Sequence, residues 1–157
     1  AHFGGLNILV NNAGIGSMAN IEDETWENWR HVHAVDLDSV FFGCKYAIPK
    51  IAACGGGSIV NISSISGIIA GHNMAAYNSA KAAVRHLSKS VALHCARSGN
   101  GIRCNSVHPV FIDTPILSGM LDAVGRQKGL DKLTRQIPLG KIGEPDDVAY
   151  AVLYHAS

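Results

Sequence analysis

The sequence predicts an α/β fold with a doubly wound parallel sheet, and two observations carry this prediction. Three short runs rich in Ile and Val end in polar or turn residues, as buried parallel strands do: Leu6–Asn12, Ser58–Ser63 and Ile102–Val107. Long helical stretches separate these runs. Strands that alternate with such helices require right-handed crossovers, which place the helices on both faces of one sheet.

The helical stretches carry their own start and stop signals. Thr25 is a suitable cap for the first, which we expect to continue through residues 35–50. The second runs over Ala75–Arg97 and stops at Gly99. The last begins near Pro145, a residue suited to the first helical turn. On the second helix, the spacing of apolar residues predicts an inward face of Ala76, Ala80, Ala83, Val84, Leu87 and Val91.

Length and composition limit the kinds of protein this chain can be. Its 157 residues suit one domain, and 47% hydrophobic with 16% charged residues suits a packed core. The net charge of +1 comes without a basic block, so we expect no nucleic-acid partner. The longest apolar runs are too short to span a bilayer, and the first residues do not resemble a secretory leader. We therefore expect no membrane partner.

The cysteines and histidines do not follow a metal-binding pattern. The four cysteines, at positions 44, 54, 95 and 104, have no CxxC spacing and no histidines at zinc-finger spacing. We expect small buried thiols and a reducing cytoplasmic location. His31 and His33 are two residues apart and point away from each other on a helix. The sequence thus predicts no metal site.

One glycine pattern allows a different interpretation of the first segment. The stretch Gly14–Ala19 fits G-x-G-x-x-G/A after a strand, and Asp36 lies 20 residues beyond Gly16. A phosphate would then rest on the helix that follows. However, Glu22, Asp23 and Glu24 come next, and three carboxylates would repel it. These negative charges therefore argue against a phosphate site at Gly14–Ala19.

Ser64, Tyr77 and Lys81 form the pattern that points to chemistry. Tyr77 and Lys81 are four residues apart at the start of a helix, so their side chains share one face. Ser64 ends a buried strand, and open α/β sheets bind ligands at that end of their strands. Each residue alone also suits an ordinary role: a turn serine, a packed tyrosine, a surface lysine. Together they predict a proton-transfer site.

Five short motifs extend this pattern along nearly the whole chain. In order they are NNAG (11–14), SIVNISS (58–64), YNSAK (77–81), IRCNSVHP (102–109) and IDTP (112–115). In order and spacing they resemble the short-chain dehydrogenase/reductase family. The resemblance implies a Rossmann-like fold, an NAD(P)-dependent oxidoreductase that interconverts a secondary alcohol and a ketone, and a homodimer or homotetramer built on two long central helices.

The resemblance also implies roles for individual residues. Tyr77 would be the general acid or base, Ser64 would bind the substrate oxygen, and Lys81 would contact the nicotinamide ribose and lower the pKa of Tyr77. An ordinary tyrosine pKa of about 10 is too high for a base near neutrality, so a nearby cation is needed. The implied cofactor contacts are Asn11, Asn12, Ala13 and Gly14 on the adenine-ribose side, Tyr77 and Lys81, and Pro109, Ile112 and Thr114 beside the nicotinamide.

Several features depart from the family. Its glycine-rich opening turn, the residue that selects NAD or NADP, and its last strand are not among these residues, so we expect residues 1–157 to be a single partial domain. Asp36 stands where the family's proton relay usually has asparagine, and we include it among the catalytic candidates. Val110 replaces the glycine that usually follows Pro109. These departures keep open a second hypothesis: a non-catalytic fragment or degenerate member.

The segment 114–138 resembles the family's variable substrate lid. Its apolar residues favour an apolar substrate, such as a cyclic alcohol or a steroid-like ketone: Ile116, Leu117, Met120, Leu121 and Leu130.

Overall fold

Three parallel strands form the sheet, in the order β1–β2–β3. The computed structural model describes residues 2, 4–122 and 125–157. The strands are β1 (Ile8–Asn11), β2 (Gly57–Ile62) and β3 (Ile102–Val107). Their ends differ by no more than two residues from the sequence prediction, and the α/β prediction is confirmed.

Helices separate the strands and pack on the sheet. In chain order they are α1 (Trp26–His33), α2 (Ser39–Ala53), α3 (Ala75–Ser98), α4 (Pro115–Asp122), α5 (Arg126–Thr134) and α6 (Pro145–Ala156). A π-helical turn, Ala34–Asp38, joins α1 to α2, so the predicted long first helix carries an inserted turn. None of the described helices is long and apolar enough to cross a membrane.

The helix ends follow local chemistry. Thr25 accepts a hydrogen bond from the Asn28 backbone N–H at 3.1 Å and so caps α1. At Gly99, where α3 ends, φ is +61°, a conformation that favours glycine. A reciprocal capping box between Glu144 and Asp147 starts α6. The three predicted helix boundaries are therefore correct.

The main core lies between the sheet, α2 and α3. It is formed by Val40, Cys44, Ala47, Ile51, Ile59, Val84, Val91, Cys95, Ile102 and Cys104. Asn61 is the polar centre of this core, because its amide donates to Ser88 Oγ at 2.9 Å and accepts from Asn11 Nδ2 at 2.7 Å. Hydrogen bonding on both sides offsets the cost of burying this amide.

Two sequence predictions about burial need correction. The strand β1 was expected to be buried, but Ile8 and Val10 are 47% and 40% exposed. Among the described strands, β1 pairs only with β2, and its Ile8 and Val10 side chains stay partly open to solvent. Cys54 is also exposed because it lies just beyond the end of α2, whereas the other three cysteines are buried.

Candidate active site

A cavity of about 920 Å³, the site cavity, opens at the carboxyl ends of the three strands. Its wall includes the loop after β1, the ends of β2 and β3, and one face of α6. The predicted residues that line it are Asn12, Ala13, Gly14, Ser64, Tyr77, Lys81, Pro109, Ile112 and Thr114. The fold therefore brings together residues that are about 100 positions apart in the chain.

Ser64 lies in the short connection between β2 and the 3₁₀ turn Ile65–Gly67. Its Oγ accepts a hydrogen bond from the Ser66 backbone N–H at 3.1 Å. The same side chain is hydrogen-bonded to Tyr77. The Ser64 hydroxyl proton is therefore not needed to hold the turn, and the group can donate it toward the cavity.

Tyr77 and Lys81 lie on the first two turns of α3, as the spacing predicted. The Lys81 Nζ donates to the carbonyl oxygen of Ile62, at the end of β2, over 3.2 Å. It also lies 3.3 Å from Asp36 Oδ2, in an ion pair whose side chains are 5% and 0% exposed. The same Nζ is 5.6 Å from the centroid of the Tyr77 ring.

Asp36 is fixed by the π-helical turn that joins α1 to α2. Its Oδ1 accepts a hydrogen bond from the Ile15 backbone N–H at 2.8 Å, and its Oδ2 faces Lys81. Within the part of the chain that the structure describes, Oδ2 accepts no hydrogen bond beyond this ion pair. The carboxylate does not line the cavity. It thus links the loop after β1 to Lys81 from behind the site.

The surroundings of Tyr77 act on its pKa in opposite directions. Burial raises the pKa of Tyr77 above its usual value, the hydrogen bond from Ser64 lowers it, and the charge of Asp36 raises it further. Burial is the largest of these influences, so the net shift is upward. The expectation that Lys81 lowers this pKa stays a prediction, and the Asp36 carboxylate 3.3 Å from Lys81 Nζ opposes it.

The predicted cofactor residues divide into two groups. Asn11 does not line the cavity, because its side chain donates to Asn61 and Cys44 in the core. Gly14 does line it, at a point of close approach. A Cβ added at Gly14 would lie 3.1 Å from Lys81 Nζ and 3.5 Å from Asp36 Oδ2. A side chain at position 14 would therefore come into close contact with the Lys81–Asp36 ion pair.

The segment Gly14–Ala19 lacks the geometry of a phosphate loop. It is followed by turns and an extended stretch, and α1 begins only at Trp26. The N-terminus of that helix therefore does not directly follow the glycines, as a pyrophosphate site would require. A bridge between Ala19 and Met74 instead ties the segment to the start of α3.

Val110 occupies an ordinary backbone conformation. Among the described non-glycine residues, only Asn73 has a positive φ. The backbone at position 110 therefore does not require glycine for its dihedral angles. The side chain lines the cavity and is half-exposed, which narrows the space beside Pro109.

The lid segment packs partly on itself. Leu117, Leu121 and Leu133 form a separate buried cluster, and Leu130 packs against it. Ile116 and Leu117 line the site cavity. The side chain of Met120, and residues 123 and 124, lie outside the described residues. Some of the described apolar side chains of this segment therefore pack against one another rather than line the site cavity.

Sequence reasoning missed several residues of the site. Met18, Ile65, Met74 and Phe111 also line the cavity. His108 contacts the connection that carries Ser64, through Nδ1 at 3.1 Å from the Ser64 carbonyl oxygen. No sequence signal marks these residues, because each reaches the site through packing between distant segments. Among the described residues, no group of His, Cys, Asp and Glu side chains could hold a metal ion.

Comparison with known proteins agrees with this geometry. A family model described as Enoyl-(Acyl carrier protein) reductase, from the short-chain dehydrogenase/reductase family, matches residues 1–157. The NADP-dependent (R)-specific alcohol dehydrogenase of Lentilactobacillus kefiri is 43% identical over 156 residues, which are 99% of this chain and 60% of that protein. The cyclohexanol dehydrogenase of Acinetobacter sp. (strain SE19) is 40% identical over 153 residues, 97% of this chain and 57% of that protein.

A solved structure shows the same arrangement in three dimensions. The ligand-free aldohexose dehydrogenase of Thermoplasma acidophilum matches with a TM-score of 0.92 and 38% identity, over 99% of this chain and 62% of that one. The chain thus spans about 60% of the length of the relatives it matches. Because the family model covers every residue, and these identities extend over almost the whole chain, the chain belongs to the short-chain dehydrogenase/reductase family.

Proposed function

We propose that this protein is an NAD(P)-dependent oxidoreductase that interconverts a secondary alcohol and a ketone. One observation carries the proposal: the hydrogen-bonded hydroxyls of Ser64 and Tyr77 lie in the wall of a cavity with Lys81 beside them. Two hydroxyl groups placed together in this way suit a substrate oxygen that gains or loses a proton.

The chemistry of the residues follows from their contacts. In alcohol oxidation, the Tyr77 phenolate takes the hydroxyl proton while the carbon bearing that oxygen gives up its hydride. In ketone reduction, the Tyr77 phenol returns the proton to the oxygen. With substrate bound, Ser64 donates its one hydroxyl proton to the substrate oxygen instead of to Tyr77, while its Oγ still accepts from the Ser66 N–H. This donor stabilises negative charge where it develops.

The residues of the cavity fit the nicotinamide half of a dinucleotide. An ammonium group has three protons, and two of those on Lys81 are directed to Ile62 O and Asp36, which leaves one for a ribose hydroxyl. Pro109, Ile112 and Thr114 line the cavity where we propose the nicotinamide, and Asn12, Ala13 and Gly14 line it where we propose the adenine ribose. When bound, the cofactor would accept or supply the hydride. The relative from Lentilactobacillus kefiri is described as NADP-dependent, which supports NADP or NAD as the cofactor.

The proposed substrate class is an apolar secondary alcohol or ketone, such as a cyclic alcohol or a steroid-like ketone. Met18, Ile65, Phe111 and Ile116 give the cavity apolar walls around the two hydroxyls. The cyclohexanol dehydrogenase relative supports a ring-shaped substrate. Burial of such a ring against these side chains would contribute about 25 cal/mol per Å² of apolar surface.

The direct test uses protein expressed from the complete open reading frame. Cyclohexanol, a hydroxysteroid and a linear secondary alcohol are each supplied with NADP⁺ or NAD⁺, and the reduced cofactor is followed by absorbance. We expect turnover of at least one alcohol, and loss of that turnover in Ser64→Ala. Turnover of an enoyl thioester but of no alcohol would contradict the proposal.

The non-catalytic alternative gives a different result in the same assay. Asp36 and Val110 are the residues that favour it, since both differ from the family's usual pattern. A degenerate member would show no turnover of any alcohol or ketone while remaining folded. Turnover above the Ser64→Ala background would exclude it.

We further propose that residues 1–157 form one partial domain of a self-associating cytoplasmic enzyme. An apolar groove between α2 and α3 supports a second copy of the chain as partner, and it is lined by Phe41, Cys44, Lys45, Ile48, Pro49, Leu87, Val91 and His94. All four cysteines are free thiols, which supports a reducing location. Burial raises the pKa of Cys104 to about 12, so this thiol stays protonated.

A further inference from the structure

Ser64 is held in place by contacts with the strand beside it. Because β2 ends at Ile62 and the 3₁₀ turn begins at Ile65, Ser64 lies in neither element. Three backbone bonds surround it: the Ser63 N–H donates to Val107 O, the Ile65 N–H donates to Pro109 O, and the Gly67 N–H donates to Ser64 O, each at 2.9 Å. The Ser64 carbonyl oxygen has a second lone pair, which these backbone bonds leave for another donor.

A further contact to the Ser64 carbonyl comes from a side chain. His108 Nδ1 lies 3.1 Å from the carbonyl oxygen of Ser64, and its Nε2 lies 2.9 Å from Ser106 Oγ. Ser106 and His108 are two residues apart in an extended segment, so they share one face. The imidazole therefore connects β3 to the peptide that carries Ser64.

We propose that His108 is a positioning residue, which holds the Ser64 peptide as a neutral imidazole with its proton on Nδ1, so that the Ser64 hydroxyl meets Tyr77 and the substrate oxygen. This role rests on the proposed function, in which Ser64 and Tyr77 act on the same oxygen. His108 itself touches neither the substrate nor the reacting atoms.

The contacts themselves select this tautomer. A carbonyl oxygen accepts hydrogen bonds and has no proton to give, so Nδ1 must carry the proton that meets Ser64 O. The neutral ring then offers a lone pair at Nε2, which accepts the hydroxyl proton of Ser106 at 2.9 Å. Ser106 thereby favours the Nδ1–H form over the Nε2–H form.

Loss of this contact should weaken the Ser64–Tyr77 pair. The groups that face Tyr77 are Ser64, Asp36 and Lys81, and only the hydrogen bond from Ser64 lowers the Tyr77 pKa. If the Ser64 peptide shifts when the His108 contact is lost, the bond to Tyr77 weakens and the pKa of Tyr77 rises. A catalytic group displaced by about 1 Å can cost up to about 100-fold in rate.

Two substitutions separate the two contacts of His108, in protein expressed from the complete open reading frame. His108→Asn places an amide N–H near the position of Nδ1, so it keeps a donor for Ser64 O. His108→Gln places its amide near the position of Nε2, so it keeps the contact with Ser106 and loses the one with Ser64. His86→Gln, on the exposed side of α3, is the matched control.

The measurements are kcat and KM for alcohol and cofactor, and the Tyr77 pKa from NMR of ¹³Cζ-labelled tyrosine. We expect His108→Gln to lower kcat roughly tenfold, the loss of about one well-placed hydrogen bond, with the cofactor KM little changed. Its Tyr77 pKa should lie above that of the wild type. His108→Asn should restore most of kcat and the lower pKa, and His86→Gln should match the wild type.

Nitrogen-15 NMR of the unmutated protein gives a test that needs neither a variant nor turnover. A neutral His108 with its proton on Nδ1 supports the proposal, and a dominant Nε2–H form overturns it. Equal kcat and equal Tyr77 pKa in the Asn and Gln variants would also overturn it. If no alcohol is turned over but the tautomer and the pKa shift are found, the proposed reaction fails and the positioning role stands.

Discussion

Asp36 and Lys81 form an ion pair that is almost completely removed from water, directly behind the catalytic candidates. Such a pair is stabilising only when further hydrogen bonds satisfy both partners, and here Ile15 N–H and Ile62 O supply them. At the residue scale, the Asp36 carboxylate opposes the charge of Lys81 and raises the pKa of Tyr77. We therefore expect Asp36 to influence the pH dependence of the proposed reaction.

The pH dependence of activity should respond to Asp36→Asn. The Asp36 charge raises the Tyr77 pKa, so its removal should lower that pKa. Ketone reduction requires protonated Tyr77, and its alkaline limit should therefore move to lower pH. The asparagine Oδ1 keeps an acceptor for the Ile15 N–H. The measurement is the pH–rate profile beside that of Asp38→Asn, a matched change in the same turn, and identical profiles for Asp36→Asn and wild type would contradict this prediction.

The phenol of Tyr77 should be indispensable for proton transfer but not for cofactor binding. General acid–base catalysis contributes about 10²- to 10⁴-fold, and Tyr77→Phe should lose activity in this range. The ring remains to pack beside Lys81, so cofactor affinity should change little. Steady-state kinetics measure the turnover of Tyr77→Phe, and cofactor titration measures its affinity for the cofactor. Turnover within twofold of wild type would show that Tyr77 does not transfer the proton.

At the scale of elements, the junction of α1 and α2 determines where Asp36 points. A π-helical turn adds a residue to the helical repeat and is often found at functional sites. Here it covers Ala34–Asp38 and contains the buried carboxylate. Val32, at the end of α1, packs with Ala76 and Ala80 of α3 and holds this junction against the helix that carries Tyr77.

We expect the Thr25 cap at the start of α1 to contribute measurably to the free energy of unfolding. Thr25→Ala removes the acceptor of the Asn28 N–H, and the free energy of unfolding should fall by about 1 kcal/mol. Thr25→Ser keeps the hydroxyl and should stay close to wild type. Urea denaturation of the three proteins tests this, and an unchanged unfolding free energy in Thr25→Ala would show that the cap contributes nothing.

At the scale of the whole molecule, apolar surface marks where a second copy would bind. Phe41 is 44% exposed, lines the groove between α2 and α3, and lies 5.7 Å beneath the Lys45 ammonium. Burial of an aromatic side chain contributes strongly to the energy of an interface. This groove shares no lining residue with the site cavity.

A charge in this groove should weaken association. We expect Phe41→Glu to reduce the molar mass in solution relative to wild type, because an apolar ring is replaced by a charged side chain that must lose its hydration in the interface. Leu139→Glu is the control, since Leu139 is 82% exposed and does not line the groove. Size-exclusion chromatography with light scattering measures the mass. A mass equal to that of wild type in Phe41→Glu would contradict the proposed interface.

The three strands and the helices α1, α2, α3 and α6 could be predicted because their signals are local, whereas α4 and α5 were not predicted. Apolar runs of period and length typical of strands, the cap at Thr25 and the stop at Gly99 depend only on neighbouring residues, and each is found within two residues of its expected place. The grouping of Ser64 with Tyr77 and Lys81 could also be predicted, because helical spacing and strand ends are geometric rules.

The contacts between distant segments could not be predicted in this way. The sequence alone determined the fold class, the order of the elements and the side chains with proton chemistry at the carboxyl ends of the strands. The tertiary structure decided that Asn11 faces the core, that Asp36 Oδ2 lies within 3.3 Å of Lys81 Nζ, and that His108 reaches Ser64. Hydrogen bonds and ion pairs of this kind depend on distances of about 3 Å between residues far apart in sequence, and only the packed chain fixes such distances.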